Sequence, residues 1–578
     1  MKSFSVTRFL FLALTLFVFS TFGYGQGMRA GAIDLAPDSG ADIIIESAYS
    51  EVPLTGHLPL QVTIENNSGR TRSWDLATTS SVGFNDTRSV HQVTTLTVAD
   101  GERKVFNLLA PLSEQLSVPH YYNRFVIDLS GYAVRGNRHH LNSLYIPGHA
   151  PQPTLVAMSP ELAPLNLGKL RTAAPDFAGT SFDLTLMPPD WRAFSGFDQI
   201  WMTDNEWRAT DAATRLALLD WVAMDGILYI CREKDDPRSL PNLGNLIENE
   251  PLTRGFGEIR THPRQDSNLE ETSTLAAIRE PANSPRKLAK DLHSPSNWPL
   301  LDKLNKLKIR TTLFIGFLLL FGIVVGPVNV FVFARGSKRY RLFWTTPVIS
   351  LGASIFIFAL ILLQDGVGGQ GHQLAIWQYF PHENKAIFQQ EQASRTGLLV
   401  KRDFSVDVPI SLLPIQVDTI GSSTSGSFGV QQRAFSGDWF RSRSIQGHLL
   451  RGITNTRSRI EITDSSGNSP SLLSTFPFPL ETIFYLDENG HWWRTENLRS
   501  GESQTLEESN KSEFDEFLRN FSNQASPVLS GEISRIHYGP GQFFVISNDA
   551  GGTWETLSTI DWETHRSFHF GPVIFSHP

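Results

Sequence analysis

The chain has 578 residues, 40% hydrophobic and 19% charged, a size that suits three or four domains. Its 50 Lys and Arg against 58 Asp and Glu leave a net charge of −8, which argues against a broad cationic surface and against general nucleic-acid binding. A single cysteine excludes an intramolecular disulfide framework and any multi-cysteine zinc or iron–sulfur site.

Residues 1–25 read as a signal peptide. Lys2 and Arg8 supply the positive start, residues 9–22 are almost wholly apolar, and Gly23, Tyr24 and Gly25 offer a cleavage position. No cysteine follows, so a lipoprotein anchor is excluded. An uncleaved signal anchor would export the same segment.

Residues 41–148 are expected to form an immunoglobulin-like β-sandwich. Leu58, Leu60, Val62 and Ile64 alternate with Pro59, Gln61, Thr63 and Glu65, the period of a strand with one buried face. Runs at 89–98, 104–109 and 121–129 have similar length and spacing. His139 and His140 are neighbours, so on a strand they face opposite ways and make no metal pair.

Residues 152–262 change character. Short apolar runs at 154–158, 182–187, 197–202 and 227–231 alternate with helix-compatible stretches. One of these, 210–223, carries Leu216, Leu218, Leu219 and Val222. That alternation predicts a three-layer α/β domain with a mainly parallel sheet. The run FDQIWMTDNEW, the helix ending LLDWVAMDG and the strand ILYIC together resemble the class I glutamine amidotransferase-like fold, a flavodoxin-like architecture. The resemblance implies a cysteine nucleophile near the position of Cys231. Tyr229, Ile230, Arg232 and Glu233 flank it in place of the family's elbow glycines, and His262 precedes Pro263 and Arg264 rather than completing a His-x-Glu pair. The catalytic set therefore reads as degenerate, with Arg232 the one nearby group able to favour a thiolate.

Residues 263–299 contain five prolines and read as a linker. At 300–310, Leu300, Leu301, Leu304 and Leu307 recur at helical spacing among Lys303, Lys306, Lys308 and Arg310, the pattern of an interfacial helix. Residues 311–334 and 343–363 are uncharged runs of 24 and 21, each long enough to cross a bilayer. The loop between them, 335–342, carries Arg335, Lys338, Arg339 and Arg341 and is expected on the cytoplasmic side. Gly326, Pro327, Val328 and Asn329 resemble the GPVN signature of uncharacterised bacterial envelope proteins. Those proteins carry an exported Ig-like domain, an amidotransferase-like domain and a paired-helix anchor. Pro327 is expected to kink the first span, Gly326 to permit close packing, and Asn329 to bond across to the second helix or a partner, with Pro347 the hairpin residue singled out on the second span.

Residues 372–578 read as a β-rich extracytoplasmic domain. A hairpin at 482–494 turns at Asn489 and Gly490, and one helix is expected at 511–523. Trp439, Trp492, Trp493, Trp554 and Trp562 suit a sandwich core or a sugar platform. Arg441, Arg443, Arg451, Arg457 and Arg459 suit a solvated strand surface, anionic lipid or a partner.

No phosphate loop, HExxH, EF-hand or GxSxG motif is present, so no cofactor or metal is expected. The sequence predicts a multidomain protein of the bacterial inner membrane with two spans and its large N- and C-terminal parts extracytoplasmic. It would act as a non-enzymatic binding or scaffolding component, with the bilayer and envelope proteins as partners and no nucleic acid. The alternatives are a cysteine hydrolase acting through Cys231 and a glycan or cell-wall binding protein.

Overall fold

The computed structural model describes residues 28–29, 33–82, 88–113, 123–144, 153–174, 177–233, 239–244, 250–279, 292, 298–304, 311–333, 335–365, 367–416, 424–429, 433–464 and 469–575. The expected signal peptide lies outside them. The chain is rich in β structure, with five sheets among the described residues.

The N-terminal strands are β1 (Ala41–Ser47), β2 (His57–Asn66), β3 (Arg72–Val82), β4 (Arg88–Val98), β5 (Glu102–Pro111), β6 (Asn123–Gly131) and β7 (Asn137–Leu141). The period-two pattern on β2 has the predicted effect, since Leu58, Leu60, Val62 and Ile64 are all buried. They pack against Trp74, Leu76, Phe125 and Ile127 of the facing sheet. His139 is half-buried and His140 exposed, on opposite faces of β7.

The α/β unit contains β8 (Thr154–Met158), α1 (Ala163–Ala173), β9 (Phe177–Ser181), β10 (Gln199–Thr203), α2 (Asp204–Ala209), α3 (Ala212–Ala223), β11 (Ile227–Glu233), β12 (Leu252–Arg254), β13 (Gly257–Arg264) and α4 (Glu271–Arg279). Its sheet runs β9-β8-β10-β11-β13-β12, with only the β12–β13 pair antiparallel. Asp211 caps α3 by accepting from Ala213 N at 2.9 Å and Thr214 N at 3.0 Å. Leu218, Leu219 and Val222 are buried, whereas Leu216 is 41% exposed and falls outside the buried stripe. A strand was expected over 182–187, but the edge strand lies one step earlier. Asp183 accepts from Thr185 N at 2.9 Å and turns Leu184–Leu186 into a 3₁₀ turn. The unit also runs past 262, because β13 extends to Arg264 and α4 buries Thr274 and Ile278. Residues 263–279 are thus part of the packed unit rather than linker.

The expected interfacial helix is corrected more sharply. In α5 (Pro299–Leu304), Leu300, Leu301 and Leu304 are at most 2% exposed, and Trp298 before it is fully buried. They pack into the same core as Ile376, Ala393 and Leu449 of the C-terminal sheet. These three leucines face protein, not lipid; Leu307, Lys306, Lys308 and Arg310 of the expected helix lie outside the described residues.

Next comes α6 (Thr311–Ile323), which passes into a π-helical segment, Val324–Phe333, containing Pro327. A 3₁₀ turn, Gly336–Arg341, leads to α7 (Leu342–Asp365). Among the described residues, these are the two helices long and apolar enough to cross a bilayer, with mean hydropathy 2.4 over 315–332 and 1.4 over 339–358. Phe317 stacks on Phe356 at 5.0 Å, while Leu319, Phe331 and Leu351 stay more than 60% exposed.

The C-terminal region contains β14 (Gly369–Phe380), β15 (Lys385–Thr396), β16 (Ile410–Gln416), β17 (Thr424–Phe428), β18 (Ala434–Gly437), β19 (Ile445–Asn455), β20 (Leu480–Leu486), β21 (Trp492–Leu498), α8 (Lys511–Ser522), α9 (Pro527–Arg535), β22 (Gln542–Ser547) and β23 (Ile560–Pro572). Its nine-stranded sheet has the order β16-β19-β15-β14-β23-β22-β20-β21 followed by Glu507–Ser509. The hairpin expected at 482–494 is β20–β21. Its turn is a longer loop, in which Asp487 accepts from Asn489 N at 2.9 Å and His491 N at 2.8 Å and only Gly490 is left-handed.

One pairing changes the domain picture. β17 lies parallel to β4, Thr424 beside Arg88 through Phe428 beside Gln92. Together with β18 and Phe404–Ser405 it extends the sandwich sheet β4-β3-β6-β7 to seven strands. Segments on either side of the apolar hairpin therefore share one sheet and one continuous core.

Candidate functional site

Cys231 lies inside β11, between Thr203 of β10 and His262 of β13. It is fully buried in regular strand, with no left-handed residue at or beside it. Burial pushes its thiol well up, and the nearby carboxylates of Glu206 and Asp204 reinforce this against the attraction of Arg264. Arg264 stands beside it, donating from Nε to Cys231 O at 3.2 Å and pairing with Asp204 at 3.1 Å. His262 bonds Thr274 Oγ1 at 3.2 Å and meets Trp201 edge-on at 5.0 Å. Burial lowers it to about 4, so it is a neutral core imidazole. A buried thiol held toward its protonated form, beside a histidine bonded to Thr274, lacks the arrangement of an activated nucleophile.

The hairpin positions its polar residue more purposefully. Asn329 is fully buried between the two apolar arms. It donates from Nδ2 to Thr346 Oγ1 at 2.9 Å and accepts from Thr345 Oγ1 at 2.7 Å. In an apolar surrounding both amide atoms need partners, and the second helix provides them. Pro327 removes a helical hydrogen bond, and the π-helical segment absorbs it. At Gly326 a Cβ would meet nothing within 4 Å, so the expected close packing does not occur there. Pro347 is exposed near the start of α7. Arg335, Arg339 and Arg341 are exposed around the connecting turn, beside Tyr340, Phe343 and Trp344. Lys338 belongs to the same turn.

A third cluster carried no sequence signal. Asp225, in the turn after α3, ion-pairs with Arg535 at the end of α9, and Glu532 lies 3.7 Å from the same guanidinium. Asp225 borders a cleft of about 80 Å³ also lined by Thr55, Trp191, Asp198, Ser411 and Arg451, residues drawn from all three folded units. Burial raises Asp225 to about 6 and, with the charge of Asp225, Glu532 to about 8; Arg535 opposes both. Nearby, Glu391 accepts from Ser526 N at 3.0 Å, and burial pushes it up to about 7. Space for a few waters and paired charges suit a polar joint between units, not a substrate pocket. Asp225 was legible only as a helix stop, since its partner lies 310 residues away. Among the described residues, no group of three His, Cys, Asp or Glu is arranged to hold a metal.

Of the C-terminal tryptophans, Trp439 and Trp562 are buried, Trp492 stacks on Phe514 at 4.4 Å, and Trp493 donates to Asp487 at 3.0 Å. Trp554 is half-buried beside Trp377 and Phe388. They serve the core.

No family model and no curated protein matches the sequence. Among solved structures, a cycloisomaltooligosaccharide glucanotransferase from Paenibacillus sp. is 11% identical with a TM-score of 0.16, covering 35% of this chain and 28% of that one. β-Glucuronidase 2 from Bacteroides uniformis is 13% identical with a TM-score of 0.13, over 34% and 23%. Xylanase 10B from Clostridium thermocellum is 12% identical with a TM-score of 0.14, over 39% and 51%. This chain spans about half or less of each of these proteins, and likeness this slight carries no argument about fold or function.

Proposed function

We propose that the chain is a two-span membrane protein of the bacterial envelope whose exported segments form one body on a single side of the bilayer. That body acts as a non-enzymatic binding or scaffolding component, of the kind the GPVN resemblance suggests. The two long apolar helices support the membrane reading, and the observation that carries the same-side arrangement is the β4–β17 pairing. An even number of crossings returns the chain to the side it left, and a sheet built from both flanking segments requires that return. The basic turn at 335–341 would then face the cytoplasm. The sealed environment of Cys231 supports a binding role over hydrolysis.

A membrane-impermeant maleimide tests the sidedness. N489C should label in intact spheroplasts and Y340C only after permeabilisation. Labelling of Y340C in intact spheroplasts would refute the orientation. For the role, C231S should retain full function in a protein still inserted and folded, and loss of function would restore the hydrolase reading.

A further inference from the structure

The hairpin leaves the folded body at one end of the nine-stranded sheet. α7 stops at Asp365 and β14 begins at Gly369, so the connection spans at most about 14 Å. Register places Gly369 beside Thr396 and Ile560, and Arg395 beside Ile445. Residues 397–402 and 440–444 therefore flank the point where helix becomes sheet. They are tied to it and to each other: Gly397 N donates to Gly368 O at 2.7 Å, Gly368 N to Leu398 O at 3.1 Å, and Arg443 N to Gly397 O at 2.9 Å.

This rim has an unusual surface. Val367 is 67% exposed and Val400 81%, although both are apolar. Lys401, Arg402 and Arg443 are exposed around them, and Arg395 and Arg441 are half-buried. The described carboxylates on the rim include Asp403, Asp561, which pairs in register with Gln370, and Asp438, 3.2 Å from Arg402; Lys401, Arg402, Arg443, Arg395 and Arg441 outnumber these three. The basic run noted in the sequence divides here. Arg441 and Arg443 sit at the helix end of β19, while Arg457 and Arg459 follow its far end, where Asn455 pairs with Lys385. The two pairs stand about 35 Å apart along the strand.

We propose that this rim rests on the leaflet from which the hairpin leaves and binds anionic phospholipid headgroups. Val367 and Val400 enter the boundary between headgroups and acyl chains, and Lys401, Arg402 and Arg443 meet the phosphates. The inference rests on the two-span reading and adds to it a second, peripheral contact that fixes the height and tilt of the body.

The test uses the full-length chain in liposomes containing anionic phosphatidylglycerol. A fluorophore is placed singly at V400C, at N489C on the opposite end of the sheet, or at L319C within α6. Cys231 is fully buried and takes no label in the folded chain. Spin-labelled lipid should quench the label at 400 at least about twofold more than aqueous iodide does, and the order should reverse at 489. K401Q/R402Q/R443Q, or purely zwitterionic vesicles, should remove most lipid quenching at 400. A lipid-quenched 319 with a water-exposed 400 overturns the rim contact and leaves the hairpin standing. Water exposure at both overturns the hairpin reading itself. Quenching at 400 that ignores lipid charge and the triple substitution overturns the headgroup assignment.

Discussion

Gly447→Ala probes the contact that ties the segment before the hairpin to the sheet after it. A Cβ at Gly447 would lie 2.1 Å from the ring of Trp298, which is fully buried. A Cβ cannot occupy that distance, so the indole or the strand must move. Overpacking of this kind costs about 1–3 kcal/mol. Trp298→Ala alone removes a large core side chain, at about 3–5 kcal/mol. In the double variant the methyl enters the space the indole vacated, so G447A should then cost close to nothing. The predicted coupling is thus about 1–3 kcal/mol, well beyond the few tenths expected of independent sites. Thermal or urea unfolding of the purified chain in mild detergent, followed by near-ultraviolet circular dichroism, measures it. Strictly additive costs, or a W298A variant as stable as wild type, would refute the packing and return residues 298–304 to the membrane surface.

Three further outcomes follow from the same geometry. Stability should pass through a maximum at mildly acidic to neutral pH. Burial depresses His57 and His569 to about 3 and His262 and His448 to about 4, so stability falls as pH drops from their unfolded value of about 6.5. Asp225, Glu391 and Glu532 are raised to about 6, 7 and 8, so the stability they add at low pH is lost as pH rises through those values. Unfolding across pH 4–9 checks this, and a monotonic profile would contradict it. Iodoacetamide should modify Cys231 at pH 7.5 only after denaturation, read by mass spectrometry; rapid labelling of the folded chain would contradict its burial. Asn329→Leu should lose both inter-helix hydrogen bonds and weaken hairpin packing by about 0.5–2 kcal/mol. Cross-linking between cysteines placed on α6 and α7 measures this, and unchanged efficiency would make the amide dispensable.

What the sequence disclosed was local. Alternation on β2, the helix-compatible stretch that became α3 and the uncharged runs that became α6 and α7 are each contained in one continuous stretch of chain, so composition and period reveal them. The leucines of 300–304 mark the limit. Spacing identifies one apolar face, but the same stripe suits lipid or a protein core, and what covers it depends on strands that follow the hairpin. The β4–β17 pairing joins residues more than 300 positions apart, and the Asp225–Arg535 ion pair spans a similar interval. Neither leaves a trace in either segment alone. At the candidate site, Asn329 was legible because an amide in an apolar run demands a partner, although Thr345 and Thr346 were not singled out as that partner. Cys231 was legible as a cysteine ending an apolar run without the glycines of a sharp turn, and it lies buried in regular strand.

The shared sheet can be locked directly. His91 and Ser427 face each other across β4 and β17, where adjacent strands bring their Cα atoms to roughly 4.8 Å, within the span a disulfide bridges. H91C/S427C, expressed in the native membrane and oxidised mildly, should form an intrachain disulfide in most molecules, seen as a reductant-sensitive shift in mobility. Two free thiols that an impermeant reagent labels separately would mean that the flanking segments do not meet.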